Sequence, residues 1–334
     1  MALINCKLSV VIPVFNEHDS LHPLMERLSP VLGSLGNYEI IFVNDGSTDD
    51  TAKILDDLYE ENWDSIKVIH MRTNCGKSVG LQCGFGATSG ELIVMMDADL
   101  QDRPEEIPNL IRHLEENNLD VVTGWKFKRF DPKSKTLPSR LFNYVVRKFS
   151  GVNVHDFNCG LKVMRRECVE HLKLYGQLHR FMLVLLAEQG FKIGECKVQH
   201  APRKYGTSKY KSRRLYEGIM DFFTIFFITR YMHSPLHFFG FYGLSCFVIS
   251  FFYSLFFIGG HIVSLLGPYP NWSLGEHPIW VLGPVLFLIG IIFIFFGLIG
   301  ELINHVFSTE LQPKFIRKRI GFETEEDRTD KNAK

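Results

Sequence analysis

Two uncharged apolar runs, Phe238–Ile258 and Ile279–Ile299, decide most of what this chain can fold into. Each has about the 20 residues that cross a bilayer core as a helix. Two such runs in one short region are rare in a soluble core. The link Gly267–Pro278 is interrupted by Pro and Gly and carries Asn271 and Glu276, so the runs read as a helical hairpin. No Lys or Arg occurs between Arg230 and Lys314. Before the hairpin stand Arg203, Lys204, Lys209, Lys211, Arg213, Arg214 and Arg230; after it stand Lys314, Arg317, Lys318 and Arg319. The positive-inside rule then places both termini in the cytoplasm, in an integral protein of the cytoplasmic (inner) membrane.

Composition takes its meaning from that division. The 334 residues hold 37 basic and 37 acidic side chains, so no net positive charge points to a nucleic-acid partner. The mean hydropathy of +0.02 averages two unlike parts. We divide the chain into a cytoplasmic α/β domain (1–210), an interfacial segment (211–233), two transmembrane helices within 234–303 (about 236–262 and 279–300) and a cytoplasmic tail (304–334). Leu215–Met232 is rich in Phe and Ile but carries Glu217, Asp221 and Arg230. It fits a helix lying on the inner leaflet, with a third span as the competing reading. Gly283, Gly290 and Gly297 recur every seven residues, a spacing that suits close helix packing and self-association. The seven Cys are scattered, without metal-ligand spacing, and read as reduced thiols.

Upstream, short β-rich runs alternate with helical patterns. Leu8–Pro13, Glu39–Asn44, Lys67–His70, Leu92–Met96 and Asp120–Thr123 predict strands. Ser20–Leu32, Asp49–Asn62, Val79–Thr88, Glu105–Glu116 and Arg140–Phe149 predict helices. Continuous Val/Ile/Leu strands separated by helices mark a doubly wound, mainly parallel sheet. Ligands bind such sheets at the carboxyl ends of the strands. Pro13-Val14-Phe15-Asn16-Glu17 follows the first strand, and Asn44-Asp45-Gly46-Ser47-Thr48-Asp49 follows the second. Gly46 allows a tight turn, and Ser47 or Thr48 can cap the next helix. After the fourth strand comes Asp97-Ala98-Asp99-Leu100-Gln101-Asp102. Two carboxylates one residue apart at an exposed strand end repel unless a cation joins them, and Mg²⁺ or Mn²⁺ prefers such hard oxygens.

Val10–Glu17, Val43–Asp49 and Asp97–Asp102, in this order and at these separations, resemble family 2 glycosyltransferases of GT-A fold. The likeness is nearest to the polyprenyl-phosphate glycosyltransferases, among them dolichol-phosphate mannose synthase, the bactoprenol glucosyltransferases and the undecaprenyl-phosphate aminoarabinose transferase. His179-Arg180-Phe181, Arg203 with Tyr205–Tyr210, the hairpin and Gly300-Glu301-Leu302 extend it to about residue 320. The resemblance implies a UDP- or GDP-linked sugar as donor and an undecaprenyl or dolichyl phosphate in the bilayer as acceptor. It implies that Asp45 binds the nucleobase in a pocket lined by Pro13, Asn16 and Glu17, with Lys77 close to the donor. Asp97 and Asp99, with Ala98 between them and Gln101 helping, would hold Mg²⁺ or Mn²⁺ on the diphosphate. Lys126 stands where relatives often carry Arg, which keeps the charge but loses a bidentate grip. Arg140, Arg180 and Lys126 would serve the acceptor phosphate, and Arg203, Ser208 and Lys209 would form a loop over the diphosphate. A homo-oligomer, tetramers included, is also implied.

The chemistry implied is displacement at the anomeric carbon with inversion. A phosphate monoester is largely a dianion at neutral pH, so Asp102 need not act as a base. A processive polysaccharide synthase is the enzyme alternative, but QxxRW is lacking and only two spans are present. A silent membrane-anchored binding module is the other, and the intact Asp97/Asp99 pair argues against it.

Overall fold

The protein is described by a computed structural model covering residues 6–62, 64–127, 133–170, 172–199, 201, 234–267 and 278–308. The expected interfacial helix, the loop residues Arg203, Ser208 and Lys209 and the C-terminal tail lie outside the described residues. The chain divides into two units, Met1–Thr229 and Arg230–Lys334.

The first unit is a seven-stranded sheet in the order β3-β2-β1-β4-β6-β5-β7. The strands are β1 (Leu8–Val14), β2 (Tyr38–Asn44), β3 (Ile66–His70), β4 (Leu92–Met95), β5 (Val121–Lys126), β6 (Lys162–Arg165) and β7 (Ile193–Val198). Helices α1 (Leu21–Leu35), α2 (Thr51–Glu61), α3 (Lys77–Gly86), α4 (Ile107–Glu116), α5 (Lys133–Ser150), α6 (Arg166–Glu170) and α7 (Met182–Glu188) cover its faces. The five expected strands and the helices between them are present, with ends shifted by a few residues. Only β6 runs against its neighbours β4 and β5; all other pairings are parallel. Successive strand residues face opposite sides of the sheet. Val10, Ile12 and Val14 therefore join one core with α1, α2 and α4, while Val11 joins a second with α3, α6 and α7.

Strand direction fixes where function can sit. β1 leads to β2 on one side and lies beside β4 on the other, which makes the β1/β4 boundary a topological switch point. The antiparallel β6 brings its amino end to the edge where β1, β2, β4 and β5 present their carboxyl ends. Lys162 consequently lies in register with both Met95 and Thr123. Two expectations are corrected. Arg140 lies well inside α5 rather than at a helix start, because the helix already begins at Lys133. Ser47 and Thr48 do not cap α2; they bond to Asn16, and Asp49 Oδ1 instead accepts from Thr51 N at 3.1 Å.

The opposite end of the sheet is tied by Glu39. Its carboxylate, 2% exposed, accepts from Ser9 Oγ (2.5 Å), Lys67 Nζ (2.7 Å) and the Ser89 backbone N (2.7 Å). Burial opposes its charge, but these donors outweigh it and hold the pKa at about 2. The bonded carboxylate therefore stabilises the fold above its ordinary pKa, and that share is lost as the pH falls from about 4.5 towards 2.

In the second unit α8 (Pro235–Leu266) and α9 (Leu282–Ser308) form a hairpin. Both are long and apolar enough to cross a membrane. At 32 residues α8 extends about 48 Å, more than the roughly 30 Å of a hydrocarbon core. Large apolar side chains such as Phe251, Leu266, Phe295 and Leu302 are exposed, as lipid-facing positions require. The glycines line the helix contact. A Cβ on Gly290 would lie 2.7 Å from the Phe247 ring and 2.9 Å from Gly243 O, and one on Gly297 would lie 3.1 Å from Leu236. Ser250 Oγ donates to Gly283 O at 2.7 Å and Tyr253 OH to Ile279 O at 3.0 Å. The glycine face is thus filled within the chain, and a contact between copies would use another face.

Two outcomes test this packing. Glu39→Gln should lower stability at neutral pH by about 2–3 kcal/mol and remove that part of the acid-induced loss, read as melting temperature against pH. Gly290→Val should overpack the hairpin and cost about 1–3 kcal/mol, whereas Ile292→Ala on an exposed position should leave the melting temperature in detergent nearly unchanged.

Candidate functional site

The loops after β1 and β2 are locked together first. Asn16 adopts a positive φ of 53°, which turns the chain directly after β1. Its backbone N donates to Ser47 Oγ (2.9 Å), and its Oδ1 accepts from Thr48 N (2.8 Å). Glu17 N donates to Thr51 Oγ1 at 3.0 Å. Gly46, at φ 67°, lies so close to the 73–74 backbone that a Cβ would meet Thr73 C at 2.5 Å. Asp45, 5% exposed, accepts from Cys75 N (2.7 Å) through Oδ1 and from Gly76 N (2.9 Å) through Oδ2. Its carboxylate therefore fixes the loop that delivers Lys77, the first residue of α3.

Lys77 Nζ bonds Asp97 Oδ1 at 2.5 Å. Asp97 begins the turn after β4, in which Leu100 takes a positive φ of 61° and Asp99 Oδ1 accepts from Gln101 N at 3.2 Å. The turn folds Asp102 back beneath Asp97. Asp102, 3% exposed, bonds Lys126 Nζ at 2.9 Å through Oδ1, while its buried Oδ2 has no hydrogen-bond partner among the described residues. Gly160, just ahead of β6, makes room for both carboxylates. A Cβ there would collide with Asp102 Oδ2 and lie 2.7 Å from Asp97 Oδ2. Lys162, 1% exposed, donates to Cys159 O at the amino end of β6.

The electrostatics follow from burial and neighbours. Desolvation raises the Asp97 pKa, but Lys77, Lys126 and Lys162 together bring it below the usual carboxylate value. Asp102 ends raised, because burial and the charges of Asp97 and Asp99 outweigh Lys126. Burial opposes the charges on Lys77 and Lys126, yet Asp97 and Asp102 hold both above the ordinary lysine value. Lys162 is lowered by burial, which its neighbours only partly offset. Burial pushes the Cys159 thiol up to about 12, so it is inert at neutral pH. His179 is pushed down to about 3 by burial and by Lys77 and Arg180, so its imidazole is neutral. Ser78 Oγ accepts from His179 N (3.1 Å) and lies within hydrogen-bond distance, 2.8 Å, of its Nδ1.

The structure thus brings Lys77, Asp97, Asp99, Gln101, Asp102 and Lys126 to one edge, with Pro13, Asn16, Glu17 and Asp45 beside them. Ala98 is buried beneath the turn. Arg180 shares a short helical turn, Leu178–Phe181, with His179. The side chain of Arg140 lies outside the described residues. Ala201 N donates to Gln101 O at 3.0 Å, so the chain approaches position 202 beside the carboxylate turn. Sequence reading missed Gly160, Lys162 and the Ser78–His179 pair. A signal existed for Lys162, a lone Lys in the apolar run Leu161–Met164.

Carboxylate oxygens are the donors that Mg²⁺ and Mn²⁺ prefer. The unpartnered Asp102 Oδ2 and the Asp97 Oδ2 over the same glycine fit such an ion. No group of three His, Cys, Asp or Glu forms a closed metal cage among the described residues. The remaining ligands would come from phosphate oxygens and water.

The family model for glycosyl transferase family 2 matches residues 9–173. The chain is 33% identical over 319 residues to the dodecaprenyl-phosphate galacturonate synthase of Rhizobium johnstonii, spanning 94% of this chain and 93% of the relative. It is 32% identical over 328 residues to the undecaprenyl-phosphate 4-deoxy-4-formamido-L-arabinose transferase of Yersinia pestis, spanning 97% of each. Among solved structures, glucosyl-3-phosphoglycerate synthase from Mycobacterium tuberculosis, crystallised with Mn²⁺, UDP and phosphoglyceric acid, superposes with a TM-score of 0.51. It is 20% identical and covers 65% of this chain and 78% of that one, a likeness of fold.

Breaking a buried ion pair from one side strands the other charge, at about 3–5 kcal/mol. Asp102→Asn should therefore destabilise the first unit by about that amount. Adding Lys126→Met should restore most of the melting temperature, because no buried charge is then left alone.

Proposed function

The chain belongs to glycosyl transferase family 2, and from that premise we propose that it moves one sugar from a nucleotide sugar to a polyprenyl phosphate. One observation carries this reading. The identity to two polyprenyl-phosphate enzymes runs across 94–97% of the chain, beyond the family model and through both apolar helices. A water-soluble donor and a membrane-borne acceptor need such a pairing of a strand-end site with a bilayer anchor.

Residue roles follow from the site. Pro13, Asn16, Glu17 and Asp45 would line the nucleobase side, whether the base is uracil or guanine. Asp97 and Asp99, with Gln101 and Asp102 beside them, would hold Mg²⁺ or Mn²⁺. A divalent cation bound there supplies Lewis-acid stabilisation of the departing diphosphate. Lys77 contributes a positive charge next to the same leaving group, where developing negative charge is stabilised in a partly dry site. Lys126, Arg140 and Arg180 would orient the acceptor phosphate, and Arg203, Ser208 and Lys209 would serve the diphosphate. The acceptor phosphate has a second pKa near about 6 and attacks as a dianion, so orientation rather than proton abstraction governs the rate. In-line attack inverts the anomeric centre.

The basic residues that flank the hairpin support, by the positive-inside rule, a cytoplasmic side for both termini and the active site, at the inner membrane. A homo-oligomer would pack through hairpin faces other than the glycine face. The test uses full-length protein in detergent with undecaprenyl or dolichyl phosphate and a panel of UDP- and GDP-sugars, the lipid product being identified by mass. One donor should give a polyprenyl-phosphate sugar, and Asp99→Asn should lower turnover at least a thousandfold with an unchanged melting temperature. Transfer from no donor would overturn the assignment, and wild-type turnover by the variant would overturn the metal role of Asp99.

A further inference from the structure

Lys77 holds one of the two oxygens of Asp97, the carboxylate whose other oxygen, Oδ2, faces Gly160 beside Asp102 Oδ2. Its ammonium lies 2.5 Å from Asp97 Oδ1, so a divalent cation on the same carboxylate would sit beside a like charge. Asp97, Asp99, Asp102 and Asp156 share this cluster with three lysines, Lys77, Lys126 and Lys162. A bare divalent cation entering this cluster would be opposed by three ammonium groups, Lys77 first among them.

The three lysines differ in what they can do. Lys162 is 1% exposed and donates to Cys159 O, so leaving would unmake a buried bond. Lys126 is 15% exposed and bonded to a carboxylate that is itself buried. Lys77 is 26% exposed, on a backbone that Asp45 fixes through Cys75 N and Gly76 N. Its anchor is rigid while its four-carbon stem can turn. Lys77 is therefore the cation of the three that can change partner without disturbing the sheet.

We propose that Lys77 is an exchangeable counter-ion, which neutralises Asp97 in the absence of a divalent cation and transfers to the donor diphosphate when Asp97 takes the metal. This rests on the glycosyltransferase reading and deepens it. The diphosphate brings the negative charge that the exchange requires and gives the displaced ammonium a new partner. Metal and nucleotide then bind cooperatively, each strengthening the other by the same factor. Lys77 is a positioning residue for the metal as well as a contact to the leaving group.

The test measures binding rather than turnover, on the full chain in detergent. Mn²⁺ affinity is read from the free-ion electron paramagnetic resonance signal, alone and with UDP or GDP, for wild type, Lys77→Met and Lys77→Arg. Wild type should bind Mn²⁺ weakly alone and at least tenfold more tightly with the matching nucleotide. Lys77→Met should bind Mn²⁺ alone at least tenfold more tightly than wild type, with a smaller gain from nucleotide. Lys77→Arg, which keeps the charge, should stay within threefold of wild type in Mn²⁺ alone. A purely structural lysine would weaken binding when removed, so equal or weaker Mn²⁺ binding by Lys77→Met overturns the proposal while leaving sugar transfer, judged by product mass, untouched. Mn²⁺ binding by no form with either nucleotide overturns both this exchange and the metal site.

Discussion

Three carboxylates supplied by six consecutive residues, Asp97 to Asp102, cannot crowd the end of a buried strand unless cations meet them there. The surrounding fold satisfies that condition from three separate elements. Lys77 comes from the start of α3, Lys126 from the end of β5 and Lys162 from the start of β6. Each arrives by a different device. Asp45 and the closely packed Gly46 hold the loop before α3. Parallel pairing with β7 carries β5 to Lys126. Reversal of β6 brings its amino end, with Gly160 and Lys162, to an edge otherwise made of carboxyl ends. The one antiparallel strand of the sheet is thus the element that lets a cation sit between β4 and β5.

The same arrangement explains which parts of the molecule the sequence revealed. Strands β1 to β5 were legible because each is an apolar run bounded by polar turns. β6 and β7 were not. β6 is four residues long and opens on a Lys, and β7 reads Ile-Gly-Glu-Cys-Lys-Val, with no alternation to separate it from a loop. At the site, Asp97 and Asp99 stood out because carboxylates directly after a continuous apolar strand have few structural uses. Lys126 carried no mark of its burial, since a buried lysine and a solvated one are spelled alike, whereas Lys162 stands alone in the apolar run Leu161–Met164. Ser47 and Thr48 had the right chemistry for a cap but lie nearer to Asn16, and only the tertiary approach of the two loops decides between those partners.

The hairpin obeys a different physics from the sheet. Between apolar helices in lipid, burial gives no advantage over the lipid tails, so close packing and a few hydrogen bonds must hold the pair. Gly243, Gly290 and Gly297 provide the close approach, and Ser250 and Tyr253 provide the bonds by reaching backbone carbonyls on the other side of the turn. A seven-residue glycine spacing was readable as a packing face. Whether it would serve a second copy or the neighbouring helix was not, because both present the same apolar surface.

The nature of the acceptor accounts for a last feature of the site. Alcohol acceptors need a base that takes a proton during attack. The carboxylate in the natural position for that task, Asp102, is buried, bonded to Lys126 and beside two further carboxylates. Such a group is badly placed to exchange protons with a substrate, however far its pKa is raised. A phosphate acceptor removes the requirement, since it reaches neutral pH already charged. The carboxylates would then be free to act wholly through charge and position. On the proposed reading, a bilayer anchor, a carboxylate cluster that needs no base and a lipid phosphate would be one solution rather than three features, with the acceptor's own charge doing what a catalytic base would otherwise do.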